Sequence, residues 1–471
     1  METTTKRPNC GARLDRLPNS PWHWSMFAMV AFALLVCWSN AIGGLVLAQL
    51  KEIGWTNNEI SATFTSLTTA GMFLGALLGG IIGDRIGRKK SIILFELIHI
   101  VAMIAGALSP NMTFLIVCRF VMGFGLGALL TTLFAGYTEY MPGATRGTWS
   151  SRVSFIGNWS YPVCSTIALI ITPLLSANMA WRVQFVIPAI LSLIATFIAI
   201  KQFPESPRWL ESKGRYAEAE KVMSEIEAKV EKQTGKKLEP VEDLPEEAAP
   251  VALSYGDLLH GELLKRVILG SFVLIAMNVV QYTLINWLPT IFLTQGINLK
   301  DSIVLNTMSM FGAPFGIFIA MLIMDKIPRK TMGISLLLAI AVLGYLYSLQ
   351  RDMTMITIFG FILITLVYMY VCYASAVYVP EIWPTNAKLR GSGLANAVGR
   401  VSGIIAPYAV SSLLTSSGVT GVFLLLGGVS VVVAIAIATM GIETRGVSVE
   451  TIGVVHEGKP VENQDTVNQE S

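Results

Sequence analysis

Apolar residues in this 471-residue chain run in blocks, most of them near twenty long and set off by short polar stretches. A helix rises about 1.5 Å per residue, so roughly 20 apolar residues span a hydrocarbon layer of about 30 Å. The pattern yields twelve blocks, at 26–48, 61–83, 91–109, 113–136, 153–174, 183–201, 267–288, 303–323, 331–349, 354–378, 393–414 and 420–440. The alternation over about ten residues that marks the strands of a barrel is missing. The prediction is an all-α membrane protein with twelve transmembrane helices. The first block is full length and follows polar, proline-containing sequence, which predicts a retained helix rather than a cleaved leader.

Composition agrees with this class. At 53% hydrophobic residues and a mean hydropathy of +0.60, the chain is too apolar for an ordinary soluble domain. The formal charge of +3 says little, but its placement sets the orientation. Of 34 Lys and Arg, four (Lys51, Arg182, Lys300 and Arg351) fall in one set of loops, and Arg119 and Arg400 lie inside blocks. The other 28 sit in or at the edge of the alternate segments. Basic loops face the cytoplasm, which predicts both termini there and a multi-pass protein of the inner membrane. Charge spread in this way implies no nucleic-acid partner. The cysteines Cys37, Cys118, Cys164 and Cys372 fall in apolar blocks and Cys10 in the cytoplasmic segment, so no disulfide framework is expected.

Against this apolar background the charged stretches repeat. Asp84 opens "DRIGRK" and Asp325 opens "DKIPRK"; Glu139 opens "EYMPGATRG" and Glu381 opens "EIWPTNAKLRG". Glu205 lies in "PESPR" after the sixth block and Glu443 in "IETRG" after the twelfth. Three landmarks recur in one order at offsets of 241, 242 and 238 residues. That divides the chain into segment 1–25, a six-helix half at 26–201, a connector at 202–266, a second half at 267–440 and a tail at 441–471. Six crossings per half, an even number, give both halves the same orientation. In the connector, "RYAEAEKVMSEIEAKVEKQTGKK" alternates charge at helical spacing and predicts surface helix.

The ordered set of motifs resembles the major facilitator superfamily over essentially the whole chain. Its carriers are Gly80, Asp84, Gly87, Arg88 and Lys89; Arg119, Gly123, Gly125 and Gly127; "PESPRWL"; and the paired E-x-x-P…RG elements. Together they are similar to the bacterial metabolite–proton symporters related to sugar porters, and "RLDRLP" at Arg13 to Pro18 to their organic-acid branch. The resemblance implies parallel six-helix halves with a substrate site between them near the bilayer midplane. It also implies a cytoplasmic latch of ion pairs, closed when the cavity faces outward and broken when it opens inward. Its members here are Asp84, Arg88, Glu139, Arg146, Glu205, Asp325, Arg329, Glu381, Arg390 and Glu443.

Polar groups inside spans are costly and mark function or packing. Arg400 lies seven or eight residues into the eleventh helix; it suits an anionic substrate, a carbonyl-bonded packing role or a gate. Arg119 in the fourth helix matches the arginine that, in the resembled family, pairs with a proton-carrying acid of the first helix. Here that helix reads "FALLVCWSNAIGG", without Asp or Glu, so the usual coupling pair is absent. Glu96 and His99, three residues apart on one helix face, are a substitute relay or a packing pair. Candidate substrate contacts are Trp38, Asn40, Asn158, Trp159, Gln281, Tyr282, Asn286, Tyr373 and Asn396, with Arg400. Paired glutamines of sugar porters are missing from "AMNVVQYTLINW", which favours an organic acid over a sugar or polyol. Gly71, Gly75, Gly79 and Gly83 form a stripe that lets a second helix approach closely.

The expected function is secondary active transport of a small metabolite by alternating access, by a monomer in lipid, with protons as the candidate coupled ion. Proton-free uniport and a non-transporting sensor remain as alternatives. With four His and no nucleophile–base pair or metal-spaced cluster, the sequence does not point to an enzyme, and no cofactor is expected.

Overall fold

A computed structural model describes residues 8–37, 41–241, 256–324, 326–383 and 387–445. Trp38, Asn40 and Asp325 lie outside the described residues. Among the described residues, eleven helices are long and apolar enough to cross a membrane. They are α2 (Asn58–Ile86), α3 (Arg88–Ala107), α4 (Met112–Tyr140), α5 (Arg146–Ile171), α6 (Ala177–Gln202), α7 (Gly261–Thr294), α8 (Leu299–Ile323), α9 (Arg329–Ser348), α10 (Met353–Glu381), α11 (Arg390–Ser416) and α12 (Gly418–Met440). The first predicted span differs. It consists of two shorter helices, α1a (Pro21–Val36) and α1b (Ile42–Glu52). Cys37 ends α1a with ψ at 62°, outside the helical range.

Several spans run further than their apolar blocks: 267–288 becomes Gly261–Thr294 and 113–136 becomes Met112–Tyr140. Capping sets four of the starts. Asn57, Asn111, Asn298 and Asp352 accept from the amides of Ile60, Phe114, Asp301 and Met355, three residues on. Each cap satisfies a donor that the first helical turn leaves over. The glycine stripe of α2 does what close packing requires. A β-carbon at Gly71 or Gly75 would collide with the backbone of Phe120 or Phe124 on α4. Gly123 and Gly127 of α4 meet the α2 backbone in the same way, at Thr68 and Met72.

Helix Tyr216–Thr234 of the connector forms where the charge alternation predicts it. It buries Ala219, Met223, Ile226 and Val230, an i, i+4, i+7, i+11 stripe. These join Leu14, Trp149 and Trp209 in one apolar cluster on the face that carries the basic loops. That face is called the basic face below, and the opposite one the far face.

The two halves meet most closely toward the far face. There α1b packs on α7, and a β-carbon at Gly44 would lie 2.6 Å from the Ile285 carbonyl oxygen. Asn58 of α2 donates to Thr415 of α11 at 3.3 Å, and Asn306 of α8 to Ser165 of α5 at 3.1 Å. Further along, α5 and α8 touch through Trp159–Phe311 and Phe155–Phe318, with ring centroids 6.3 Å apart in each pair.

Candidate functional site

A cavity of about 230 Å³ lies between the halves. For scale, an apolar void of about 150 Å³ holds a benzene. The first half supplies one wall, including Cys37, Phe134, Ser154, Asn158 and Tyr161, and the second half supplies Gln281, Tyr282 and Arg400. Among the described residues Arg400 is its one cation and no carboxylate lines it. The Nη1 of Arg400 is buried and has no hydrogen-bond partner. Asn158 gives an amide hydrogen to the Ser154 carbonyl at 2.8 Å. Tyr161 stacks edge-on against Tyr368, centroids 5.5 Å apart. A guanidinium presents donors in a fixed fork that matches a carboxylate, and the aromatic and amide groups around it suit the remainder of a small ligand.

Of the expected substrate contacts, Arg400, Asn158, Gln281 and Tyr282 come together here. Trp159, Asn286, Tyr373 and Asn396 are not among its lining residues. Tyr373 is fully buried in the second half, stacked on Tyr378 with centroids 5.1 Å apart. Asn286 is 2% exposed and donates to the Tyr282 carbonyl at 3.0 Å, with its Oδ1 turned to Gly43 of α1b. Asn396 is exposed and bonds the Ser392 carbonyl, and Trp159 turns to Phe155 and Phe311. The sequence reading missed Tyr161, Phe134 and Ser154. Aromatic residues on apolar helices read as core or interface, and in lipid the apolar pattern gives no phase to separate cavity from packing.

The coupling candidates lie apart from the cavity wall. Arg119 is 1% exposed, donates to Thr68 Oγ1 at 3.2 Å and stands over the Phe64 ring at 4.8 Å. Glu96 and His99 are both buried. They are not hydrogen-bonded to each other, because neither carboxylate oxygen of Glu96 has a partner. A direct Glu96–His99 relay is therefore not what the helix face builds.

On the basic face the repeated charges form two clusters, one in each half. In the first, Glu205 accepts from the amides of Arg88 and Lys89 at 2.6 and 3.2 Å. The Arg88 side chain reaches Asp84 at 2.7 Å and Glu139 at 2.9 Å, and Ser206 bonds Glu139. In the second, Glu443 accepts from the amides of Arg329 and Lys330 at 2.8 and 3.2 Å. Arg329 pairs with Glu381 at 3.0 Å, and Thr444 bonds Glu381 at 2.6 Å. Each terminal glutamate thus caps a helix N-terminus, where a negative charge meets free amides and the helix dipole. Burial pushes the Glu443 carboxyl up, but the amides of Arg329, Lys330 and Arg445 outweigh it and hold the group below its usual range. Gly87, at φ 98°, makes room for Glu205 in the first cluster; Pro328 precedes the second helix instead.

Among the described residues these contacts stay within their own half. Arg146 reaches Asp15 at 3.2 Å rather than a repeated landmark. Arg390 opens α11 beside the second cluster's half of the chain. Ser206 and Thr444 were missed by the sequence reading, although each directly follows a landmark glutamate.

This arrangement matches a known group of carriers. The profile of the sugar (and other) transporter family matches residues 22–456. The chain belongs to that family. It is 75% identical to YdjK of Escherichia coli (strain K12), over 96% of this chain and 99% of that one. It is 43% identical to the inner membrane metabolite transport protein YdjE of the same organism, over 95% and 98%. The niacin transporter NiaP of Acinetobacter baylyi is 27% identical over 94% and 99%. In fold, the chain superposes on the xylose transporter XylE from E. coli in a partially occluded inward-open form with a TM-score of 0.73. That match has 17% identity and covers 91% of this chain and 100% of XylE. The protein is thus a multi-pass metabolite transporter with the major facilitator fold, and its relatives are transporters rather than enzymes.

Proposed function

We propose that this transporter carries a small organic acid, with the substrate carboxylate held by Arg400 in the central cavity. The observation that carries the reading is the buried guanidinium nitrogen without a partner, in a cavity lined by no acid. A charge-assisted pair there is worth about 1.5–3 kcal/mol. Tyr161, Tyr282 and Phe134 would face the ring or carbon chain of the acid, and Asn158 and Gln281 its polar groups. The relative named a niacin transporter gives the same direction, since niacin is an aromatic carboxylate.

The orientation follows the basic loops: cytoplasm on the basic face, with both termini there, in the inner membrane. The close seam at the far face then belongs to a state shut toward the outside. Transport would proceed as each half, braced by its own charged cluster, rocks about the central cavity. Close approach at Gly44 and hydrogen bonds such as Asn58–Thr415 would break as the far face opens.

Uptake by the purified chain in liposomes tests the substrate class, with nicotinate, gluconate and xylose as labelled probes and empty liposomes as background. Nicotinate or gluconate uptake in the wild type, lost in Arg400→Ala, is expected. Uptake of xylose alone, or acid uptake indifferent to Arg400→Ala, contradicts the reading.

A further inference from the structure

Beside the central cavity, behind one helix layer, lies a second and different space. It is an apolar chamber of about 20 Å³ among α1a, α3, α4 and α6. Glu96 is the one ionisable side chain among its lining residues; Met29, Ala33, Leu129, Leu133 and Phe203 surround it. The residue is 3% exposed, and neither carboxylate oxygen has a hydrogen-bond partner. Ser192 of α6 is the hydroxyl that approaches it. The chamber has room for one water but too few polar groups to hold it. In such apolar surroundings a carboxylate is far costlier charged than neutral.

The other charged and titratable groups near it are few. On α3 itself His99 stands one turn along, and Arg119 of α4 is within electrostatic reach of His99. Cys37, at the end of α1a, is within electrostatic reach of Glu96 and also lines the central cavity. The wall is thin there: Leu129 and Leu133 of α4 face the chamber, and Leu126 and Leu130 face the cavity. From α6 only Ser192 and Thr196 add polarity. The ionisable residues of α2, Glu59, Asp84 and Arg85, sit at its two ends.

We infer that Glu96 is the proton-carrying group of this transporter, exchanging its proton with water of the central cavity at the Cys37 end of α1a. The step is one proton leaving the carboxyl oxygen for water and returning from water; no other bond changes. It replaces the first-helix acid that this sequence lacks, and it takes the carrier reading above as given.

Two readouts decide it, one of which needs no substrate. Dicyclohexylcarbodiimide, which enters apolar sites and reacts with protonated carboxyls, is applied to the full chain in liposomes, and adducts are mapped by mass spectrometry. An adduct at Glu96 that falls several-fold as pH rises from mildly acid to alkaline is expected. No adduct, or one indifferent to pH, overturns the inference. For the second readout, liposomes are given an inside-alkaline pH gradient with nicotinate or gluconate outside. Glu96→Gln should keep exchange of internal for external substrate and lose gradient-driven accumulation about tenfold, a difference of about 1.4 kcal/mol. Glu96→Asp should retain part of it. Accumulation by Glu96→Gln equal to the wild type overturns the inference. A wild type that moves neither acid counts against the carboxylate reading instead, and the carbodiimide result then decides Glu96 alone.

Discussion

Arg329 and Arg400 are both arginines at or within a helix of the second half, yet their surroundings are opposite. Arg329 is 5% exposed and anchored to Glu381 by its side chain and to Glu443 by its amide. Arg400 faces a cavity with a buried nitrogen that none of the described residues satisfies. The contrast separates two uses of charge in an apolar protein. Where partners are built in, the charge is scaffold; where they are withheld, the fold keeps a place for a ligand of opposite sign. The first cluster repeats the scaffold arrangement around Arg88, with extra bracing. Trp209 of the connector donates to the Asp84 carbonyl at 2.9 Å. A strap at the N-terminus, helix Cys10–Asp15, ties down the rest. Arg13 holds Glu220 and Glu227, and Asp15 holds Arg146 and Arg208.

If that division is right, removing a partnered charge costs stability. Arg329→Ala leaves Glu381 without its ion pair and should lower the unfolding free energy in detergent by about 3 kcal/mol. Little change in a denaturant titration would show that the cluster is ornamental. Glu205→Gln and Glu443→Gln keep the shape but weaken three amide contacts each. A loss of about 1–2 kcal/mol is expected for either, smaller for Glu205 if the strap and connector share its task. Thr444→Ala, which removes one hydroxyl from Glu381, should cost about 1 kcal/mol. A thermal melt of the three variants ranks them directly.

The smallest effect concerns pH at the strap. Bonding to Arg13 holds the Glu220 carboxyl below its usual range. A carboxylate held down in the folded state stabilises above its unfolded pKa and loses that contribution as pH falls through the folded value. Strap release should therefore grow on acidification below the carboxylate range. Cys10 reports it: its side chain is fully buried, and its amide donates to Glu211 at 2.8 Å. With the other four cysteines replaced, thiol labelling of Cys10 relative to a free thiol at the same pH should speed up at acid pH and in Arg13→Ala. A rate flat with pH and mutation would put the strap's hold in its apolar contacts.

Much of this was legible in the sequence, for a physical reason. Charges in an apolar chain are few and expensive, so Arg88, Glu139, Glu205 and their later counterparts stand out, and their offsets expose the duplication. Their partners were harder to read. Asp15 and Arg146 meet across 131 residues, which spacing cannot show. Tyr373 looked like Tyr161, a polar aromatic in a span, but Gly333 gives it a packing slot away from the cavity.

Arg400 remains the point on which the account turns. The direct test is thermal unfolding of the purified wild type and Arg400→Ala, each with and without nicotinate or gluconate. A ligand at about 100 times its dissociation constant stabilises by about 2.7 kcal/mol, enough to raise the melting temperature visibly. The account predicts a carboxylate-dependent rise in the wild type that disappears in Arg400→Ala, while the two unliganded proteins melt alike. An equal rise in both, or a variant that melts well below the wild type without ligand, would mean that Arg400 is scaffold after all.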